Sequence, residues 1–171
     1  MKLRALEPED LDFLYTLEND QDLWDSSESD APYSKYILKQ YIAQGQSFFT
    51  SGELRLIIEI CEKDKQSKCI GIVDLTNYAP QSSRAQIGIA ILKEYRKQGY
   101  AYKAIQLLET LVLRKLNLHS LYAYVSKSNI ASYNLFYKSG YLPIALLPEW
   151  FFHNGRYEDV HLFHKVLRQN H

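Results

Sequence analysis

The chain has 171 residues, 46% of them hydrophobic, with 20 Lys plus Arg against 20 Asp plus Glu and a formal net charge of +0. That length supports one domain over 1–171 with its own core, and the charge balance gives no global field to recruit nucleic acid or anionic membrane. No apolar run approaches the ~20 residues that cross a bilayer, and Lys2 and Arg4 precede no signal-type apolar core, so the expected compartment is the cytoplasm.

Lys2 to Leu6 alternates in the manner of a short strand. Pro8 then suits a helix start, with Glu9 and Asp10 in the dipole-favoured first turn and Leu11, Leu14, Tyr15 and Leu17 as the apolar stripe. Asn19 to Ala31 is polar and acidic. It reads either as a solvated loop or as an electronegative lip for a cationic substrate, to which Glu28 and Asp30 would contribute. Tyr33 to Ala43 carries a second helical pattern.

Leu54 to Cys61 and Cys69 to Thr76 are Ile/Val-rich strand runs joined by the polar stretch Glu62 to Lys68. Cys61 and Cys69 are expected to be reduced packing residues. The five histidines show no metal-ligand spacing, and no metal is expected. A third central strand runs from Arg84 to Leu92. After Gly99, Ala101, Ala104, Ile105, Leu108, Leu111, Val112 and Leu116 form the wide apolar face of a helix that covers a sheet. His119 to Val125 is another strand, Ile130 to Lys138 a shorter helix ended near Gly140, and Tyr141 to Leu147 with Val160 to Val166 a final strand pair around the Asn154-Gly155 turn dipeptide. The fold class is α+β, with about seven strands in a mixed sheet and about four helices. The unit from Arg84 to Val125 forms the parallel crossover.

One stretch, Ala85 to Ala104, places a strand, a basic loop and a helix start together. Backbone N–H groups, the positive end of a helix dipole and the cations Arg96 and Lys97 meet there, which is an anion site suited to a diphosphate.

Arg96-Lys97-Gln98-Gly99-Tyr100-Ala101 matches the Q/R-x-x-G-x-G/A phosphate loop of the GNAT (Gcn5-related) N-acetyltransferase superfamily at Arg96, Gly99 and Ala101. Asn129, Ser132, Phe136, Gly140 and Tyr141 match its second signature in order. Within the superfamily the chain resembles bacterial spermidine N-acetyltransferases over almost its whole length, and ribosomal-protein N-terminal acetyltransferases next. The resemblance implies the GNAT fold and acetyl transfer from acetyl-CoA, by direct attack, to a primary amine such as a polyamine. Alternative acceptors are a protein N-terminus or an amino sugar. A non-catalytic acetyl-CoA sensor is a further reading. It also implies a possible homo-oligomer.

Transfer from a thioester to an amine needs a held donor, a neutral amine, a stabilised oxyanion and a departing thiolate. The resemblance implies that the backbone of Ile89, Ala90 and Ile91 pairs with the pantetheine arm and supplies an oxyanion donor. Gln98, Gly99, Tyr100 and Ala101 would hold the pyrophosphate with Arg96 or Lys97, while Asn129 and Phe136 would border the arm. The family often has a tyrosine hydroxyl where this chain has Phe136. Ser132 and Tyr133 are the candidate replacements as acid, since helical spacing places both on the Phe136 side; a thiol of pKa about 8.5 also leaves tolerably unaided. Asp74 is the candidate carboxylate for the incoming ammonium. His119, expected to be a packing residue, His153 and His161 are weaker candidate bases. Trp150 to Arg156 is expected to edge the groove.

Overall fold

The computed structural model describes residues 1–20, 23, 32–45, 47–61, 67–153 and 155–168. Strand β1 (Lys2–Ala5) leads through a 3₁₀ turn at Pro8–Asp10 into α1 (Leu11–Glu18), followed by α2 (Lys35–Ala43) and the short α3 (Phe48–Ser51). Then come β2 (Leu54–Ile60), β3 (Lys68–Ala79), β4 (Arg84–Ile91), α4 (Tyr100–Leu111) with a π-turn extension at Val112–Leu116, β5 (Ser120–Ser126), α5 (Ile130–Lys138), β6 (Leu142–His153) and β7 (Arg156–Val166). One seven-stranded sheet has the order β1-β2-β3-β4-β5-β7-β6. Its β4–β5 pair is parallel and its other pairs antiparallel. This is the expected α+β arrangement.

Alternation along the strands assigns each helix pair to its own face of the sheet. Ile57 and Ile72 pack with Leu14, Leu17 and Leu38 of α1 and α2. Their neighbours Leu56, Ile58 and Val73 pack with Ile105, Leu108 and Phe136 of α4 and α5.

Two differences from the sequence expectation have local causes. Helix α3 is additional, and its four residues are too few to show a periodic stripe. It buries Phe48 against Tyr78, with ring centroids 4.6 Å apart, and ends on Gly52 at φ 75°. Strands β6 and β7 run up to the turn instead of stopping near Leu147 and Val160, because Phe151–His153 pairs with Arg156–Glu158. There Phe152 and Tyr157 form an aromatic cross-strand contact at 5.1 Å.

The N-terminal strand is fastened by charge. Asp10, expected only to complement a helix dipole, is buried and accepts a forked pair from Arg4, Nη1 at 2.7 Å and Nη2 at 2.8 Å. Arg4 Nε also donates to Glu59 at 2.5 Å, and Lys2 Nζ lies 2.9 Å from Glu59. Hydrogen bonds from Arg4 and then Lys2, outweighing burial, hold the Glu59 carboxyl at about 2 against its ordinary 4.5. A carboxyl depressed in the folded state contributes stability above its ordinary pKa and loses it as pH falls through the folded one. Glu59→Gln is therefore expected to melt lower at neutral pH and to show a flatter fall in melting temperature between pH 4.5 and about 2, read by thermal denaturation across pH.

Candidate active site

The site begins where the sheet divides. β4 and β5 pair only at Arg84↔Ser120, Ala85↔Leu121 and Gln86↔Tyr122. Beyond these, β4 stays with β3 as far as Ile91, and β5 stays with β7 as far as Ser126. The β5-facing edge of β4 from Ile87 onward therefore borders a cavity of about 280 Å³, which Ile89 and Ala90 line from one side and Tyr124 to Ser126 from the other. An unpaired strand edge presents N–H and C=O groups to any extended ligand. Gly71 keeps β3 close behind it, since a Cβ there would stand 2.3 Å from the Ala90 carbonyl oxygen.

From β4 the chain passes through a 3₁₀ turn at Lys93–Tyr95 to Gly99, the N-cap of α4, at φ 82°. The first helical bond is Lys103 N–H to Gly99 O at 3.2 Å. The N–H groups of Tyr100, Ala101 and Tyr102 accordingly point out of the helix end. Nothing lies within 4 Å of where a Gly99 Cβ would sit, so the approach to this end is open. Lys97 and Gln98 are exposed beside it. Arg96 is placed differently from its expected partner in the loop. Its Nε donates to Ile91 O at 2.9 Å and its Nη2 lies 3.7 Å from Asp20, so the guanidinium ties the end of β4 to the end of α1, and of the two cations Arg96 and Lys97 it is Lys97 that is exposed.

Across the cavity, Asn129 caps α5 by accepting the Ser132 N–H at 3.0 Å. This cap brings Asn129, Ser132 and Phe136 to the cavity wall. Phe136 is buried, edge-on to Tyr141 at 5.3 Å. Tyr133 is not brought there. Ser132 and Phe136, four residues apart, form the stripe that faces the cavity. Tyr133, one step of about 100° round from Ser132, packs on His161 and Phe163 of β7, both centroids at 5.0 Å.

At the other end, Asp74 stands within β3 and accepts Arg55 Nε at 2.9 Å and Nη2 at 2.7 Å. Arg55 Nη1 also donates to Glu18, and the guanidinium lies over the Tyr41 ring at 5.4 Å. Burial opposes the charge on Arg55, but Asp74 and Glu18 outweigh it and raise its pKa. Glu18, Arg55 and Asp74 all line the cavity with Thr76 and Gln86. Among the described residues, two carboxylates face one guanidinium in this cluster. Glu28 and Asp30 lie outside the described residues, as does the side chain of His153. His119 is exposed rather than packed, with its backbone bonded to Ser83 and Leu167, and neither it nor His161 lines the cavity.

Sequence reasoning missed Glu18 and Arg55. A signal was present for the second: Arg55 shares strand parity with Ile57, so a cation sits on a buried face where only a paired charge is tolerated.

A family model for the acetyltransferase (GNAT) domain matches residues 1–142. The chain is 32% identical over 162 residues to a spermidine N(1)-acetyltransferase of Vibrio cholerae serotype O1, covering 94% of this chain and 89% of that one. The structure of a Vibrio cholerae spermidine N-acetyltransferase in complex with CoA and spermine superimposes with a TM-score of 0.86 at 28% identity, covering 97% and 95% of the two chains. A dodecameric structure of the Vibrio cholerae enzyme gives 0.80 at 30% identity, covering 97% and 93%.

Removing one member of a buried ion pair leaves its partners desolvated and unpaired, at ~3–5 kcal/mol. Arg55→Met should therefore lower stability by about 3 kcal/mol, because Asp74 and Glu18 keep some solvent access. The midpoint of chemical denaturation, compared with that of the unsubstituted chain, measures it.

Proposed function

Since the chain belongs to the acetyltransferase (GNAT) family and is an acetyl-CoA-dependent N-acetyltransferase, we propose that its acceptor is a polyamine such as spermidine. The observation that carries this reading is the setting of two carboxylates against one guanidinium, among the described residues, in the Glu18–Arg55–Asp74 cluster at one end of a cavity whose other walls are the β4 edge and α5. The spermidine N(1)-acetyltransferase relatives and the structural neighbour bound to CoA and spermine support it. Residues 1–171 are read as one acetyltransferase domain, because β6 and β7, which continue past the matched segment, complete the same sheet. A homo-oligomer in the cytoplasm is the accompanying proposal, with the dodecameric relative as support for assembly.

The residues fit the donor by observations made on the chain itself. The β4 edge at Ile89, Ala90 and Ile91 would receive the pantetheine arm as an added strand, chiefly at Ile89, since the Ala90 carbonyl faces β3 and the Ile91 carbonyl accepts from Arg96, and a backbone N–H there would donate to the developing oxyanion. The N–H groups of Gln98, Gly99, Tyr100 and Ala101 at the α4 end, with Lys97 beside them, would hold the pyrophosphate. Charge-assisted hydrogen bonds of about 1.5–3 kcal/mol each suffice as an anchor. Arg96 acts from behind, by fixing the end of β4. Asn129 holds the α5 start and Phe136 closes the apolar wall.

Asp74, with Glu18, attracts the ammonium, which gives one proton to solvent beside Asp74 and becomes the neutral amine that attacks the acetyl carbon. Nitrogen bonds to that carbon, the carbon–sulfur bond breaks, and the second proton lost from nitrogen is matched by one gained at sulfur. Of the two hydroxyl candidates only Ser132 faces the cavity, so we assign it the proton delivered to the thiolate.

The test is a thiol-release assay over polyamines, monoamines, amino sugars and N-terminal peptides. Spermidine or spermine should exceed an alkyl monoamine at least tenfold in kcat/KM, and Asp74→Asn should remove most of that preference; better turnover of a peptide N-terminus would overturn the polyamine assignment. A thiol of pKa about 8.5 leaves tolerably unaided near neutral pH. Ser132→Ala should then cost only about tenfold in kcat, below the ~10²–10⁴ of an obligatory general acid, and an unchanged kcat would remove Ser132 as the donor.

A further inference from the structure

On the β5 side of the cavity mouth the wall is aromatic. Tyr124 lines the cavity, and Trp150 stacks on it with centroids 6.2 Å apart and planes 29° apart. Phe151, also lining, stands edge-on to Tyr124 at 6.5 Å and 70°. Tyr122 is edge-on from the other side at 5.7 Å and 81°. Trp150 remains 53% exposed, so the array runs from the cavity to solvent.

The placement of Trp150 is built into the backbone. The β6–β7 register shifts between Leu147 and Phe151, and within that bulge Glu149 adopts φ 51°. A bulge re-aims the side chains next to it, and a non-glycine residue at positive φ persists only where its surroundings impose it. Here Asp159 Oδ1 accepts the Glu149 N–H at 3.1 Å, and Lys127 holds Asp159 at 3.1 Å.

A polyamine keeps positive charge after its attacking nitrogen is neutralised. Among the described residues the Glu18–Arg55–Asp74 cluster sets two carboxylates against one guanidinium at one end of the cavity, an attraction for the attacking end of the acceptor. Aromatic faces attract a second cationic group, when it lies within about 6 Å of a ring centroid.

We propose that Tyr124 and Trp150 form a cation–π seat for the distal ammonium of the acceptor, making them specificity-determining residues. The inference rests on the polyamine reading and extends it. A ring face binds charge without needing N–H donors, so the seat accepts a quaternary ammonium as readily as a protonated amine. A purely apolar shield would favour neither.

The experiment compares three primary amines of equal chain length, ending in an ammonium, a trimethylammonium or a neutral tert-butyl group, by steady-state acetylation kinetics. The expected KM for the trimethylammonium acceptor is within about threefold of the diamine and at least tenfold below the tert-butyl analogue. Trp150→Leu, whose melting temperature is checked in parallel, should shrink that tenfold gap to about twofold, and Tyr124→Leu should do the same. Equal KM values for the trimethylammonium and tert-butyl acceptors, or a gap unchanged in both variants, would overturn the seat. Failure of the native enzyme to acetylate any of the three, or spermidine, would instead sink the polyamine reading beneath it.

Discussion

Strands β4 and β5 share a ladder only as far as Gln86 and Tyr122; past those residues each is held by a different neighbour. β4 follows β3, drawn close by the absence of a side chain at Gly71, and β5 follows β7. A parallel pair in the middle of a sheet would ordinarily continue and bury its backbone groups. Here the divergence leaves those of β4 available, at the same end of the sheet as the α4 N-terminus and the α5 cap. The donor site thus follows from one topological fact. The connection from β4 to β5 passes through α4, so the helix that covers the sheet also begins at the mouth of the split.

Charge is arranged in local clusters within a chain of zero formal net charge. Arg4 and Lys2 face Asp10 and Glu59, two cations to two anions, and the cluster fastens β1 to β2. Lys165 binds both oxygens of Glu109, at 2.8 and 2.7 Å, and the Ser139 carbonyl at 2.8 Å, a balanced pair that joins β7 to α4 and the end of α5. The cluster of Arg55 with Glu18 and Asp74 is different, for among the described residues its carboxylates outnumber its cation and it opens onto the cavity. Balanced clusters hold elements together. An unbalanced one facing a cavity retains attraction for a cationic ligand.

The strand and helix order, the parallel crossover and the α4 junction were legible because their signals are local: alternation, a helical stripe, a glycine before the helix. Asn129 as the α5 cap was legible for the same reason. The destination of Arg96 was not, since a cation in a loop carries no sign of which carbonyl it will meet. Asp74 was identified as a carboxylate but not as the partner of Arg55, because the β2–β3 register that sets them opposite each other is a long-range property. Tyr133 shows the resolution of helical spacing: three and four residues from Phe136 are neighbours on a wheel, yet one wall faces the cavity and the other faces β7. Trp150 was expected at the groove edge, but its stacking on Tyr124 depends on a bulge, which hydrophobic alternation does not reveal.

The ring at position 136 separates packing from chemistry. Phe136 is 4% exposed and meets Tyr141 and Phe163 at 5.3 and 6.0 Å, so the wall is complete without a phenol. What it lacks is a proton to give. Acetyl transfer from a thioester to an already neutral amine is proton-neutral, since nitrogen loses one proton and sulfur gains one. The chain need not store a proton; it needs a group able to give one at sulfur and regain it afterwards. A hydroxyl both donates and accepts, and the cavity wall holds Ser132 on α5 and, at the end of β5, Ser126, whose hydroxyl lies 3.0 Å from that of Ser128. A serine is a weaker acid than a tyrosine, but a thiolate is a tolerable leaving group, so little acidity is demanded of it. Replacing the phenol by a buried ring is therefore compatible with turnover, provided the amine is neutral when it attacks. That requirement moves the chemical burden from the α5 wall to the Glu18–Arg55–Asp74 end of the cavity.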